Sequence, residues 1–582
     1  MKISKQHTTF EISSSCLTWL RYISLSTLCL GFVLAAFATT PKVKLSRKDA
    51  GSLSKTTPEM LVLMVLVAAA TTAAAATPSL QISGKIGQTN PNYASWNIDS
   101  SYNRGFFHIN FTNPNLRAAA ESLSPSTLRF GGTGNDFLHY DCLTIPGKDS
   151  DTYGCLNDTH RADLLGLADA STGNDFLFGL SFDMTEACLA NDSTYVWSSH
   201  ETIQLLSKMK DANQSVWGFE LGNEVNNREK GGNRDCNLLP IQQSNAIIEL
   251  GKVLAEHFST TPTTTRPKQI GPDTGYNDAP RWLNTTLAFV AASSNPDLLY
   301  AVTHHVYPGI NKWNYNDPVR LNGILAGDIQ WYGPIVQAYA PNAQLWAGED
   351  GPAGGGESGT CGSDTVSACG LYATTLWYAD EMALRATHGF KQYQRQDLVG
   401  GRYSLVGTLH DNQYEPVTAS VVLHPDFWVN FLWKRIVGSS VLQATVSLST
   451  PHTLRVYAHC GKPPSAFRVS SDEWESSATF ILINLDNSTD SQTSLNLTQA
   501  GVTSYERWTM SSASSGEKLN PFGTEVFVNG LVMPFYISDG APIHDVPVAG
   551  VKGEGGILKV PQLSISFVVV KGIDSKILNQ CD

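Results

Sequence analysis

Two glutamates stand where paired carboxyls could do chemistry. Glu224 closes the run Ser215–Glu224 (SVWGFELGNE) beside Asn223, and Glu349 lies in Gln344–Asp350 (QLWAGED), ahead of Gly351 and Gly354–Gly356. Cleaving a glycosidic bond needs two such groups. One protonates the leaving oxygen; the other stays ionised and attacks the anomeric carbon. A single Glu at a strand end is more often a solvated rim residue. Here, however, one has an amide neighbour suited to a sugar hydroxyl, and the other precedes glycines where backbone can approach a ligand closely.

Carboxyls so far apart in sequence meet only if the fold gathers strand ends on one face. Eight β-rich runs alternate with segments able to form helices: Ala94–Tyr102, Ser126–Thr133, Asp175–Asp183, Ser215–Glu224, Pro267–Asp273, Leu299–Tyr307, Gln344–Asp350 and Phe390–Asp397. Eight is the number that a (β/α)8 TIM barrel requires, and its active groups sit at the C-terminal strand ends. Several runs end there in a polar group: Asp99, Thr133, Asp183, Asn223 with Glu224, Asp273, His304 with His305, and Glu349. Between the runs, Leu239 to Phe258 spaces Ile247, Leu250, Leu254 and Phe258 as one helical stripe. A doubly wound open sheet would want a Gly-rich phosphate turn after its first strand, and none is present. Beyond Trp428–Val437, read as the last barrel helix, come Leu454–Cys460, Thr479–Leu485, Tyr505–Met510, Glu525–Tyr536 and Ser564–Val570, strand-like runs with turn-rich gaps. These predict a C-terminal β-sandwich. The expected class is α/β, divided into a leader over 1–78, a catalytic barrel over 79–440 and the sandwich over 441–582.

A net charge of −12 over 582 residues argues against a nucleic-acid partner. Lys2, Lys5 and Arg21 precede the apolar run Ile23 to Ala38, which closes on Ala36-Phe37-Ala38, the order of a secretory signal. A second run, Met60 to Ala76, is short for a spanning helix. A cleaved signal, a signal anchor giving membrane association, and a true start at Met60 all fit. Sequons at Asn110, Asn157, Asn191, Asn213, Asn284, Asn487 and Asn496 point to export. So do the eight cysteines beyond the leader, Cys142, Cys155, Cys188, Cys236, Cys361, Cys369, Cys460 and Cys581, which lack zinc-site spacing and suit disulfides. The expected location is the secretory pathway: extracellular, lysosomal or vacuolar, or membrane-anchored with the catalytic domain outside the cytosol.

Other constellations predict less. His304 and His305 point to opposite faces of a strand, so they cannot jointly hold a metal, and one belongs to the core. Gly354–Gly356 lacks the G-K-[ST] of a phosphate loop, and no G-x-S-x-G elbow is present. Neither metal nor cofactor is expected. Taken alone, Tyr403 in GGRYSLV reads as a packed aromatic.

A series of motifs in order adds a resemblance. Leu123–Thr133 (LSPSTLRFGGT), Trp217–Glu224 (WGFELGNE), Ile270–Asp273 (IGPD), Thr303–His305 (THH), Gly348–Gly356 and Leu454–Cys460 (LRVYAHC) resemble glycoside hydrolase family 79, the β-glucuronidase/heparanase family. The resemblance implies a retaining enzyme with Glu224 as acid/base and Glu349 as nucleophile. It implies that Asp99, Thr133, Asn223, His304 and Tyr403 face the sugar, that Gly355 and Gly356 present amides to a uronate, and that Cys460 pairs with Cys581. Arg129 either supports the barrel floor or orients a carboxylate. The family's heparanases carry basic clusters beside the cleft; the stretch after Asp273 here, TGYNDAPRW, has only Arg281. They also carry a Tyr before the glycine run, where this chain has Ala353. The expected activity is endo- or exo-cleavage of β-linked glucuronic acid from proteoglycan or other glycoconjugate chains. A silent glycan-binding or regulatory relative, and a barrel glycosidase for neutral sugars, are the competing readings.

Overall fold

The computed structural model describes residues 77–582 except 101–105, 141–153, 169–172, 191–193, 229–235, 277, 294, 296, 355–360, 362–364, 408–419, 448–452, 462–476, 489–492 and 515–516, and residue 582. The leader, with both of its apolar runs, lies outside the described residues. Among those described, no helix is long and apolar enough to cross a membrane.

The first strand, β1 (Leu80–Gln88), precedes the barrel. Eight parallel strands then close on themselves: β2 (Ala94–Asp99), β3 (Thr127–Gly131), β4 (Asp175–Leu180), β5 (Gly218–Leu221), β6 (Lys268–Ile270), β7 (Ala301–Val306), β8 (Gln344–Asp350) and β9 (Gln392–Arg395). All eight expected runs contain one. Their side chains alternate between two environments. Val302, Phe219, Leu128, Phe130, Trp96 and Ala347 point outward into the layer shared with the helices. Leu177, Ile270, Ala301 and Trp346 point inward and form a separate floor, on which Trp217 and Trp346 stack with centroids 5.5 Å apart. The helix Pro240–His257 buries Ile247, Leu250 and Leu254 as the stripe predicts.

A bulge interrupts this alternation at the candidate nucleophile. His304 pairs with Ala347 but His305 with Glu349, so β8 carries one extra residue at Gly348. Without it, Glu349 would fall on the face opposite Trp346. The extra residue turns Glu349 inward and leaves Asp350 outward, where it meets Arg385 of the helix Tyr372–Thr387 at 2.7 Å.

The C-terminal region is rich in sheet, and its boundaries differ from the sequence expectation. Its nine-stranded sheet begins at Val437, and its edge is β1, which lies in the stretch assigned to the barrel yet pairs antiparallel with Val437–Val446. One face of the sheet, including Ile481, Ile483, Phe567 and Val569, packs into the core shared with the barrel helices. The other, through Phe480, Leu482, Val568 and Val570, meets Leu495, Leu558 and Val560 of a two-stranded sheet. The predicted sandwich is therefore uneven, because barrel helices occupy much of the place of a second sheet. Cys460 is bonded to Cys581, and Cys188–Cys236 and Cys361–Cys369 are also bridged.

Candidate active site

Arg129 is the hub of the site. It projects inward from β3, where 1% of its surface is exposed, and it reaches four groups from three other strand ends. Its Nε donates to Glu220 Oε2 at 2.6 Å, Nη1 to Glu349 Oε2 at 3.0 Å, and Nη2 to Asp273 Oδ2 at 2.5 Å and Asn223 Oδ1 at 3.2 Å. Of its two expected roles, orienting carboxylates is the one observed. Burial works against its charge, but Asp273, Glu220 and Glu349 outweigh it and hold the guanidinium protonated. A single buried cation does not balance so many acids. Accordingly Glu220 is pushed up to about 7 by burial and by Asp273, with Arg129 opposing.

His305 supplies a second cation. Its Nδ1–H donates to Glu224 Oε1 at 2.9 Å and its Nε2–H to Asp273 Oδ1 at 2.5 Å. Burial disfavours the imidazolium, yet Asp273 and Glu349 raise its pKa well above the ordinary value. Glu224 Oε2 accepts from Asn227 Nδ2 at 2.6 Å, and the Tyr307 hydroxyl donates to Glu349 Oε1. One oxygen of Glu224, one of Glu349 and a ring nitrogen of His305 lie within 4.8 Å of one another. Glu224 is half-buried, Glu349 buried. Glu224 and Asp273 both hold left-handed backbone, at φ 49° and 59°, and the Glu224 N–H donates to the Asp273 carbonyl at 2.9 Å. Non-glycine residues keep such angles only where surrounding contacts fix them.

The expected site residues divide. Asn223 and Glu349 meet at Arg129 and Glu224 stands beside Glu349, though the Asn223 amide oxygen is taken by the arginine. Asp99 lies on the inward face of β2 and accepts from Gln396 Nε2 at 2.5 Å; Thr133 opens the half-buried turn after β3. Tyr403, 1% exposed, packs with Ala353, Cys361 and Cys369. Gly355 and Gly356 lie outside the described residues. The expectation for His304 needs correcting. Its ring packs on Trp331 and Tyr332 at 4.9 and 5.5 Å, its Nδ1 meets the Thr274 carbonyl, and it shares the outward face of β7 with Val302 and Val306. No role is read from sequence for His305, Tyr307, Asp273 or Glu220, although His305 and Asp273 are among the polar strand ends. The first two carried a signal: V-x-H-x-V puts His304 with the valines on the helix side, leaving His305 and Tyr307 for the site.

Residues 86–383, more than half of the chain, match the profile of the glycosyl hydrolase family 79 N-terminal domain. Chicken (Gallus gallus) heparanase is 27% identical over 570 residues, covering 88% of this chain and 98% of the relative. Baicalin-β-D-glucuronidase of Scutellaria baicalensis is 24% identical over 451 residues, 69% of this chain and 78% of that one. Among solved structures, a 4-O-α-L-rhamnosyl-β-D-glucuronidase from Fusarium oxysporum superposes with a TM-score of 0.55 at 12% identity, covering 85% of this chain and 100% of its own. A GH51 arabinofuranosidase from Xanthomonas axonopodis pv. citri gives 0.54 at 14%, with the same coverage. At such identities the superpositions show a shared fold.

Proposed function

As the chain belongs to glycosyl hydrolase family 79, we propose that it is a retaining glycosidase of β-linked glucuronic acid, with Glu224 as acid/base and Glu349 as nucleophile. The observation that carries this reading is the approach of the two carboxyls, whose oxygens come within 4.8 Å. Retaining enzymes hold theirs about 5–5.5 Å apart, so that one attacks directly, while inverting enzymes leave about 6.5–9.5 Å for a water. In the first step Glu349 attacks the anomeric carbon, the glycosidic bond breaks, and the proton of Glu224 goes to the departing oxygen. In the second, Glu224 takes a proton from water, whose oxygen displaces Glu349 from the same carbon. Both carboxyls are thereby restored. Arg129 and Tyr307 aim the nucleophile through separate oxygens. His305 and Asn227 hold the acid/base the same way.

Support for the uronate comes from relatives named heparanase and baicalin-β-D-glucuronidase. We place the catalytic domain outside the cytosol. Three disulfides among the described residues, and sequons exposed at Asn110, Asn213, Asn284 and Asn487, support that location.

The test compares an aryl β-D-glucuronide with the matching glucoside and xyloside, following the first-formed sugar by NMR. Wild type should turn over the glucuronide and release the β anomer first, and Glu349→Gln should abolish turnover. Preference for the glucoside would overturn the substrate, and an α anomer formed first would overturn the mechanism.

A further inference from the structure

The loop after β6 carries an aromatic ring that the catalytic reading leaves without a role. Its inner half is held firmly against the acid/base. The Gly275 N–H donates to Asn226 Oδ1 at 2.8 Å, and Asn226 Nδ2 donates back to the Gly275 carbonyl at 3.1 Å. Gly275 lies so near Glu224 that a Cβ placed on it would stand 2.7 Å from the carboxyl carbon. The next residue, Tyr276, is 76% exposed. Past it, Asp278 pairs with Arg281, the one cation of the stretch Thr274–Trp282. The backbone fixed at Gly275 thus holds a ring in water one residue from the wall of Glu224, and Arg281, in the helix Ala279–Ser293 that follows the loop, is engaged by the loop's Asp278.

We propose that Tyr276 lines a leaving-group subsite and takes a ligand with a flat apolar ring face, either an aryl aglycone or the C–H face of a pyranose. The inference rests on reading Glu224 as the acid: whatever is bonded to the oxygen it protonates must pass the loop that walls it. A tyrosine face carries negative quadrupole density, which favours the edge or C–H face of another ring, and covering it removes apolar surface from water. The ring itself offers a sulfate group no positive charge to pair with.

The experiment measures kcat/KM of wild type, Tyr276→Ala and Tyr276→Phe on three β-D-glucuronosyl donors: the fluoride, a naphthyl glucuronide and a glucuronosyl disaccharide. Fluoride has no ring, so the ratio of each ring-bearing donor to the fluoride reads the subsite by itself. In Tyr276→Ala that ratio should fall about tenfold, as for the loss of one aromatic contact, and Tyr276→Phe should keep it. A fall for the naphthyl donor alone assigns the subsite to an aryl group, and a fall for the disaccharide alone assigns it to a sugar. Unchanged ratios in Tyr276→Ala, or an equal loss in Tyr276→Phe, would overturn the proposal. If wild type fails to hydrolyse the glucuronyl fluoride, the glucuronidase reading falls and the subsite with it.

Discussion

Each oxygen of Glu349 accepts from a different donor, Arg129 on one side and Tyr307 on the other. The two donors differ in kind. Arg129 is shared with Glu220 and Asp273, so its removal would leave several buried acids without a counter-ion. Tyr307 binds the nucleophile from a half-buried position, and Tyr307→Phe keeps the packing of its ring. A hydrogen bond to a charged acceptor is worth ~1.5–3 kcal/mol. Tyr307→Phe should therefore lower kcat/KM roughly tenfold to a hundredfold with an unchanged melting temperature. Steady-state kinetics beside a thermal melt checks this, and a change within experimental error would remove Tyr307 from the machinery. At this scale the sequence was legible for the carboxyls and misleading for their neighbours. Strand ends marked by Glu224 and Glu349 are visible because an apolar stem ends in a charge. The choice between His304 and His305 depends on which face of β7 looks inward; the flanking Val302 and Val306 carry that information, and the histidine pair alone does not. Glu220 and Asp273 went unassigned because their importance comes from sharing Arg129, a relation between strands far apart in the chain.

The element that aims the nucleophile is the bulge in β8, and it turns on a residue without a side chain. A Cβ on Gly348 would meet the Thr303 Cβ at 2.8 Å and Asp273 Oδ1 at 3.3 Å. Thr303 is itself engaged, its hydroxyl donating to Glu220 Oε1 at 2.8 Å and accepting from the Asp273 N–H at 2.9 Å. Neither neighbour can retreat without loosening the layer beneath the catalytic pair. Overpacking of this kind costs about 1–3 kcal/mol. Gly348→Ala should lower the melting temperature and also reduce kcat by more than the loss of folded protein explains, because Glu349 is carried on the displaced segment. Calorimetry with activity normalised to folded enzyme separates the two effects; full specific activity in a destabilised variant would show that the bulge does not aim Glu349. The eight barrel strands were legible as β-rich runs, but the bulge was not, since a glycine before a strand-end acid is equally at home in a regular strand. Nor did β1 stand out. LQISGKIGQ lacks a long apolar run, and it is a strand because Val437–Val446, far along the chain, offers it an edge.

At the scale of the molecule, buried acids among the described residues outnumber the buried cations that face them, and this sets how stability responds to pH. Around Arg385 stand Asp350 at 2.7 Å and Glu381 at 3.3 Å, so the cluster is neutral only if one carboxyl keeps its proton. Burial, then the charge of Asp350, pushes Glu381 well above its usual 4.5. Burial also raises Asp350, against the pull of Arg385, and Glu220 reaches about 7. Between the ordinary carboxyl value and these raised values the folded chain holds more protons than the unfolded one, so stability falls as pH rises. His305 acts in the same direction: its folded pKa is raised, so its contribution is complete below the unfolded value of 6.5 and is lost as pH climbs through the folded one. Glu201, which burial raises but its bond to His139 lowers further, has the opposite sign, and its contribution is already present above 4.5; His459, pushed down to about 4 by burial, also opposes the decline up to pH 6.5 but offsets only one of the three raised carboxyls. The melting temperature should therefore decline from about pH 5 to about pH 8, and Glu381→Gln, which removes a titrating group at nearly constant volume, should make that decline shallower. Scanning calorimetry of both proteins across this range decides the point. A melting temperature that rises with pH would mean that the buried acids are charged and paired in the folded protein, and an unchanged slope in the variant would clear Glu381 of any part in it.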